Sequence, residues 1–173
     1  MSDKNDPMQD FERELVALLP RLRRFASDLA GSIHDGDDVL QEALTKALTN
    51  REQWQPGTRL DSWMYRIIQN HWIDTARMRR RHGPHVALDD VHDLAGSDGV
   101  RTAEGVLAAG RLRTELASLP DEQRVVLLLV TIEGLSYAEA AKTLDIPIGT
   151  VMSRIARARA SLARKVFGED ETS

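Results

Sequence analysis

The chain contains no cysteine, which excludes disulfide frameworks, thiolate metal sites and cysteine nucleophiles. It has no apolar run long enough to cross a bilayer. The longest, Val125 to Ile132, is interrupted by Thr131, whereas a spanning helix needs about 20 apolar residues. The opening stretch MSDKNDPMQDFERE is polar and acidic and lacks the apolar core of a signal peptide. These absences point to a soluble, cytoplasmic protein without membrane insertion. No internal repeat and no strand-like alternation occur. There is no Gly-rich phosphate loop followed by Lys, no metalloprotease helix and no nucleophile elbow, so an enzyme is not expected. His82 and His85 precede Asp89, Asp90, His92 and Asp93, but their spacing suits no closed coordination geometry. No metal and no cofactor are expected.

What the chain does have is segregated charge. Its net charge is only -4 over 173 residues, yet the sum hides the pattern. Residues 35–42 (DGDDVLQE) hold four acids and no base, and residues 77–82 (RMRRRH) hold four arginines. The stretch 86–108 carries five acids against one arginine, and 146–165 carries five bases and no acid. Any one such run alone is most simply a solvated helix face. Four in alternation set up local fields that decide which charged partner approaches each face.

The periodicity predicts an all-α fold. Phe11, Leu15, Leu18, Leu22, Phe25 and Leu29 recur at helical spacing, with Gly31 as the stop. A second helix, capped by Asp37, runs to about Thr49, with Val39, Leu40, Ala43, Leu44, Ala47 and Leu48 inward. The pair Thr58 and Asp61 reads as a capping box for a third helix from about Ser62 to Arg81. Trp63, Met64, Ile67 and Ile68 form its core arc, while Tyr65, Trp72 and Ile73 fall outside it. An apolar surface this broad means deep burial or two jobs on one helix.

From Gly83 to about Ala108 the periodicity fades, and four glycines and scattered acids read as a linker. A structureless stretch of that length argues for two small helical domains on either side of it. Beyond it, Val106, Leu107, Leu112 and Leu116 suggest a short helix. Pro120, Asp121 and Glu122 suit the start of the next one, which Gly134 ends. Ser136 and Glu139 form a capping box opening a short helix to about Leu144.

That short helix, a turn at DIP and a second helix make a helix-turn-helix. At about 100° per residue, Val151, Ile155, Ala158 and Leu162 share a buried stripe. Gly149, Thr150, Ser153, Ala156 and Arg157 lie opposite, with Arg154 on the flank. Small residues let such a helix enter the major groove, hydroxyls reach phosphate or base edges, and guanidinium groups grip phosphate or guanine.

The segment SLPDEQRVVLLLVTIEGLSYAEAAKTLDIPIGTVMSRIARARASL closely resembles the C-terminal domain of bacterial RNA polymerase sigma factors of the extracytoplasmic-function type. The resemblance implies that this domain reads the −35 promoter element through Thr150, Ser153, Arg154 and Arg157. DGDDVLQEALTKAL resembles the family's segment that binds the polymerase clamp, which implies contacts from Asp38, Gln41 and Glu42. Those three lie at i, i+3 and i+4, one face of a helix. RLDSWMYRIIQNHWIDTARMRRR resembles the −10 melting and recognition segment. Rings, polar edges and a basic groove hold single strands. Asn70, Trp72, Arg77, Arg79 and Arg80 are its candidates here, with Asn70 at the family position that helps read a flipped base. Trp63 is as readily a core ring. The family does not fix the Arg and His run that ends this segment. FERELVALLPRLRRFASDLAG is similar to the general-stress-response (EcfG-like) branch.

The resemblance implies a domain over 10–83 for polymerase docking and the −10 element, an acidic linker over 84–107, and a helix-turn-helix domain over 108–168. Its expected partners are core RNA polymerase, promoter DNA and an anti-sigma factor. The alternative is a stand-alone helix-turn-helix regulator. A helical module whose basic helix binds acidic protein surfaces is a third reading.

Overall fold

The computed structural model describes residues 7–82 and 103–167. Most of the expected linker, and the His85–Asp93 cluster, lie outside the described residues. The element order is α1 (Pro7–Ala30), α2 (Ile33–Thr49), a short 3-10 turn (Arg51–Gln53), α3 (Leu60–His82), α4 (Ala103–Ala117), α5 (Asp121–Thr131), α6 (Tyr137–Leu144) and α7 (Ile148–Phe167). Among the described residues there is no strand, and none of the helices is long and apolar enough to cross a membrane.

The first three helices pack on one another, and α7 packs on α4, α5 and α6. In the first group the α1 stripe (Phe11, Leu15, Leu22, Phe25 and Leu29) is buried. Phe11 meets Trp54 at a centroid distance of 5.4 Å and Trp63 edge-on at 6.2 Å, so both tryptophans serve packing. Gly31 ends α1 with φ of +83°, a left-handed stop that favours glycine. Pro20 sits inside α1 at an exposed position, as does Val16, whose carbonyl a proline cannot serve. Gly36 allows α2 to cross α1 closely: a Cβ there would lie 2.5 Å from the Ser27 Cα.

Two helix starts differ from the sequence reading. Ser32, not Asp37, caps α2, accepting the Asp35 N–H at 3.1 Å. Asp37 lies inside the helix and pairs with Arg23 at 2.6 Å. A serine three residues before an acidic run is the weaker-looking cap, but its hydroxyl sits at the position the first turn needs. Thr58 makes no capping box. Its hydroxyl donates to the Gln55 carbonyl at 2.7 Å, closing the turn before α3. Leu48, assigned to the inward stripe, is 46% exposed because it falls about 100° round the helix from buried Ala47 and farther still from Val39 and Ala43.

The second group follows the reading closely. Pro120 precedes α5, and Asp121 and Glu122 occupy its first turn. Gly134 takes φ of +71° just beyond the helix. The Ser136–Glu139 capping box is complete, with the Glu139 N–H donating to the Ser136 hydroxyl at 3.1 Å and the Ser136 N–H to the Glu139 carboxylate at 2.7 Å. Val151, Ile155 and Ala158 are fully buried, and Leu162 packs beside Leu119 and Leu127.

The two groups also pack on each other, with α1 against α4 and α5, and α3 against α5 and α6. This explains why the run Val125–Leu129 of α5 is apolar on every side and buried. Leu127 faces Ala158 of α7, while Val125, Val126, Leu128 and Leu129 join the core that contains α1 and α3. It also explains the breadth of α3. Tyr65 and Trp72, outside the helix's own core arc, are both buried.

Candidate nucleic-acid interface

The outer face of α7 is built by its buried stripe. With Val151, Ile155 and Ala158 inward, Arg157 is exposed and Thr150, Ser153 and Arg154 are partly exposed. Three of these form a chain. The Ser153 hydroxyl donates to the Thr150 carbonyl at 3.1 Å, and the Arg157 guanidinium donates to the Ser153 hydroxyl at 3.2 Å. One turn of helix therefore presents a hydroxyl and a planar fork side by side, and no acidic residue lies on α7 to repel a phosphate backbone. Arg154 differs, because it turns to Glu122 of α5 at 3.6 Å.

On α3 the sequence candidates separate. Asn70, Arg77, Arg79 and Arg80 are exposed, but Trp72 is only 6% exposed. Its indole N–H donates to an Asp121 carboxylate oxygen at 3.1 Å, and the Arg79 guanidinium lies 5.8 Å over its ring. Arg79 also reaches Asp35 at 3.3 Å, and Arg80 pairs with the other Asp121 oxygen. Asn70 accepts a hydrogen bond from the Gln69 amide. A cleft of about 360 Å³ between the two groups brings Asn70 and Arg77 of α3 together with Glu122 and Arg154.

Asp38, Gln41 and Glu42 of α2 are all exposed on its outer side. Asp38 has His34 one turn back at 3.9 Å. Asp37 is drawn in by Arg23, which reaches both of its carboxylate oxygens at 2.6 and 2.8 Å. Its hydrogen bond from the Arg23 guanidinium holds its carboxyl below the usual range.

The contact between the two groups holds residues that sequence reasoning did not single out. Glu133 has a fully buried side chain and accepts from the Tyr65 hydroxyl at 2.5 Å and from Arg21 Nε at 2.6 Å. Burial, then the Glu133 carboxylate, pushes the Tyr65 hydroxyl well above its ordinary value. Arg21 reaches Asp61 at 3.3 Å, and Arg59 bridges Asp61 at 2.8 Å and Glu139 at 2.6 Å. Burial works to raise the Asp61 carboxyl, but Arg59, the Ser62 N–H and Arg21 outweigh it and hold it low.

Arg124 is buried and donates to the carbonyls of Leu29 at 2.5 Å, Ala117 at 2.5 Å and Leu119 at 3.0 Å. Leu29 and Ala117 end α1 and α4, so one guanidinium serves the negative ends of two helix dipoles. Burial still lowers its pKa from the ordinary arginine value. The signal in the sequence was available: charged residues flank the apolar run Val125–Leu129 where an ordinary buried helix carries none.

A family model described as Sigma-70 region 2 matches residues 15–82, and one described as Sigma-70, region 4 matches residues 109–162. The chain is 35% identical to the ECF RNA polymerase sigma factor EcfG of Rhodopseudomonas palustris (strain TIE-1), over 96% of its own length and 94% of the relative's. It is 31% identical to the ECF RNA polymerase sigma factor SigW of Bacillus subtilis (strain 168), covering 80% of this chain and 79% of that one. The sigma factor RpoE from Bartonella quintana, solved in complex with the anti-sigma factor NepR, superposes with a TM-score of 0.75. It is 28% identical, and the match covers 95% of this chain and 99% of that chain.

Proposed function

Because the chain belongs to the ECF RNA polymerase sigma factors, we propose that each of its polar surfaces carries a separate part of promoter-dependent initiation. The domain over 10–83 docks on core RNA polymerase through Asp38, Gln41 and Glu42, three exposed groups on one face of α2. The same domain holds the −10 strand with Asn70, Arg77, Arg79 and Arg80, an amide and guanidinium groups as single-strand sites use. The Trp72 ring, buried beneath Arg79 and Asp121, supports that surface from below rather than stacking on a base. The domain over 108–168 sets α7 in the −35 major groove, with Thr150, Ser153, Arg154 and Arg157 toward the DNA. Residues 84–107 join the two as a linker.

In this role the protein makes and breaks no covalent bond. It directs an enzyme to its template and acts in the cytoplasm. An anti-sigma factor is a further partner, supported by the NepR complex of the Bartonella relative.

The observation that carries the reading is the split of chemistry between the two matched regions. Region 2 bears an acidic exposed face on α2 and a basic end on α3, while region 4 bears a recognition helix without a single acid. The test is assembly with core polymerase. The wild-type chain should co-elute with purified core, and Glu42→Lys should reduce that association while keeping its helix content, since it reverses charge on an exposed face. Undiminished core affinity in the variant would remove the docking assignment.

A further inference from the structure

Ile148 and Met152 of α7 are large apolar side chains standing in solvent, 48% and 53% exposed. Neither packs into the hydrophobic cores that hold their neighbours Val151 and Ile155. They lie four residues apart and so share one edge of the helix. A lone apolar residue on a surface is ordinary, but the place of this pair is not. It borders the face that carries Ser153 and Arg157, in the first two turns of the second helix of the helix-turn-helix. That is the part of such a helix that reaches base edges. Around the axis Met152 lies about 40° from Ala156 and about 60° from Gly149. Both are small and exposed, and a Cβ added to Gly149 would meet nothing within 4 Å, so the surface beside Met152 is low and open.

We infer that Met152 reads a thymine of the −35 duplex through its C5-methyl group. The inference rests on the placement of α7 in the −35 groove under the proposed function, and adds a base preference to it.

The two flanks of the α7 face differ in chemistry. One carries the Thr150 hydroxyl and the Arg154 guanidinium, and the other carries Ile148 and Met152, which have no side-chain hydrogen-bond donor. Base edges in the major groove present donors and acceptors everywhere except at the thymine methyl. A methionine pressed against a purine N7 or a cytosine amino group would strip that group of water and give it little in return. Against a thymine methyl, both apolar surfaces leave water together. The methionine side chain is unbranched and polarizable, so it can settle on a methyl whose position varies slightly with local DNA shape. Arg157 and Ser153 then supply the polar contacts, and Met152 supplies the apolar one.

The test uses holoenzyme rebuilt from the full chain and core polymerase, with a duplex carrying the promoter it uses best in run-off transcription. Each thymine of the −35 element, on either strand, is replaced in turn by deoxyuridine, which removes the methyl and keeps the base pair. Wild type should lose affinity about threefold to fivefold at one such position. Met152→Ala should lose about the same on the natural duplex, and nothing further when deoxyuridine stands at that position. Met152→Leu, which restores an apolar side chain, should recover the dependence on the methyl. Because Met152 is exposed, none of these changes touches the core, and circular dichroism checks that the helices persist.

Three results overturn the inference: a −35 element without an A·T pair, no position at which wild type depends on the methyl, or a dependence that survives in Met152→Ala. Arg157→Ala, run in the same assay, separates this failure from that of the proposed function. If Arg157→Ala weakens binding while no methyl dependence appears, the thymine contact alone is struck. If neither Arg157→Ala nor Met152→Ala changes affinity, the placement of α7 in the −35 groove falls, and the thymine contact with it.

Discussion

Tyr65 of α3 donates its hydroxyl to Glu133, 68 positions further along the chain, at 2.5 Å. The acceptor's side chain is fully buried and its other carboxylate oxygen has no hydrogen-bond partner. An under-served buried carboxylate depends strongly on each donor it has. Tyr65→Phe should therefore destabilise the chain by about 1–3 kcal/mol in urea denaturation. A loss of only a few tenths would mean that water replaces the hydroxyl.

The same pair has a signature at high pH. Burial and Glu133 raise the Tyr65 hydroxyl above the ordinary value of 10.0. A group with a raised folded pKa contributes its stability fully below the unfolded value and loses it as pH rises through the folded one. Of the two tyrosines, Tyr65 should stay protonated in an absorbance titration until the protein unfolds.

Asp61 gives the opposite linkage. Its carboxyl lies below the ordinary 3.8 in the folded chain, because Arg59, the Ser62 N–H and Arg21 overcome the effect of burial. Its contribution is present above about pH 3.8 and is lost as pH falls through the depressed folded value. Asp61→Asn should cost about 1–3 kcal/mol at pH 7, and the gap to wild type should close in melts taken at progressively more acid pH. A gap independent of pH would assign the cost to shape rather than charge.

Gly36 tests the crossing of α1 and α2. Alanine is the better helix former by about 1 kcal/mol, but its Cβ would sit 2.5 Å from the Ser27 Cα and 2.6 Å from its backbone nitrogen. Backbone cannot turn aside as a side-chain tip can, so overpacking should win by a net loss of about 1–3 kcal/mol. A raised melting temperature for Gly36→Ala would contradict the close crossing.

Much of this was legible in the sequence, and the limits are physical. The capping box at Ser136 and Glu139 and the buried stripe of α7 depend on neighbours within one or two turns, so local spacing revealed them. Asp37 and Thr58 look like caps by residue type, but capping depends on which residue has the right backbone angles, and Ser32 held that place for α2. The long-range contacts of Tyr65, Trp72, Arg124 and Glu133 join residues 49 to 112 positions apart. No periodicity encodes such pairs. What the sequence did offer was the excess of apolar surface on α3, which the second group of helices covers.

Arg157 probes the recognition helix directly. Its guanidinium is exposed and held beside the Ser153 hydroxyl at 3.2 Å, on the face proposed to meet the −35 duplex. Arg157→Ala should weaken binding to the −35 duplex about tenfold in the assembled holoenzyme. If the contact is to phosphate, the slope of affinity against salt should fall by about one. Unchanged promoter occupancy would release Arg157 from the interface.

The most direct measurement is run-off transcription with purified core polymerase across a library of genomic promoters. Added wild-type chain should produce RNAs from a discrete set of start sites that core alone does not use, and those sites should share upstream sequence elements. A chain that joins the polymerase yet yields no RNA, or RNA from the same random starts as core alone, would contradict the assignment of its two surfaces to initiation.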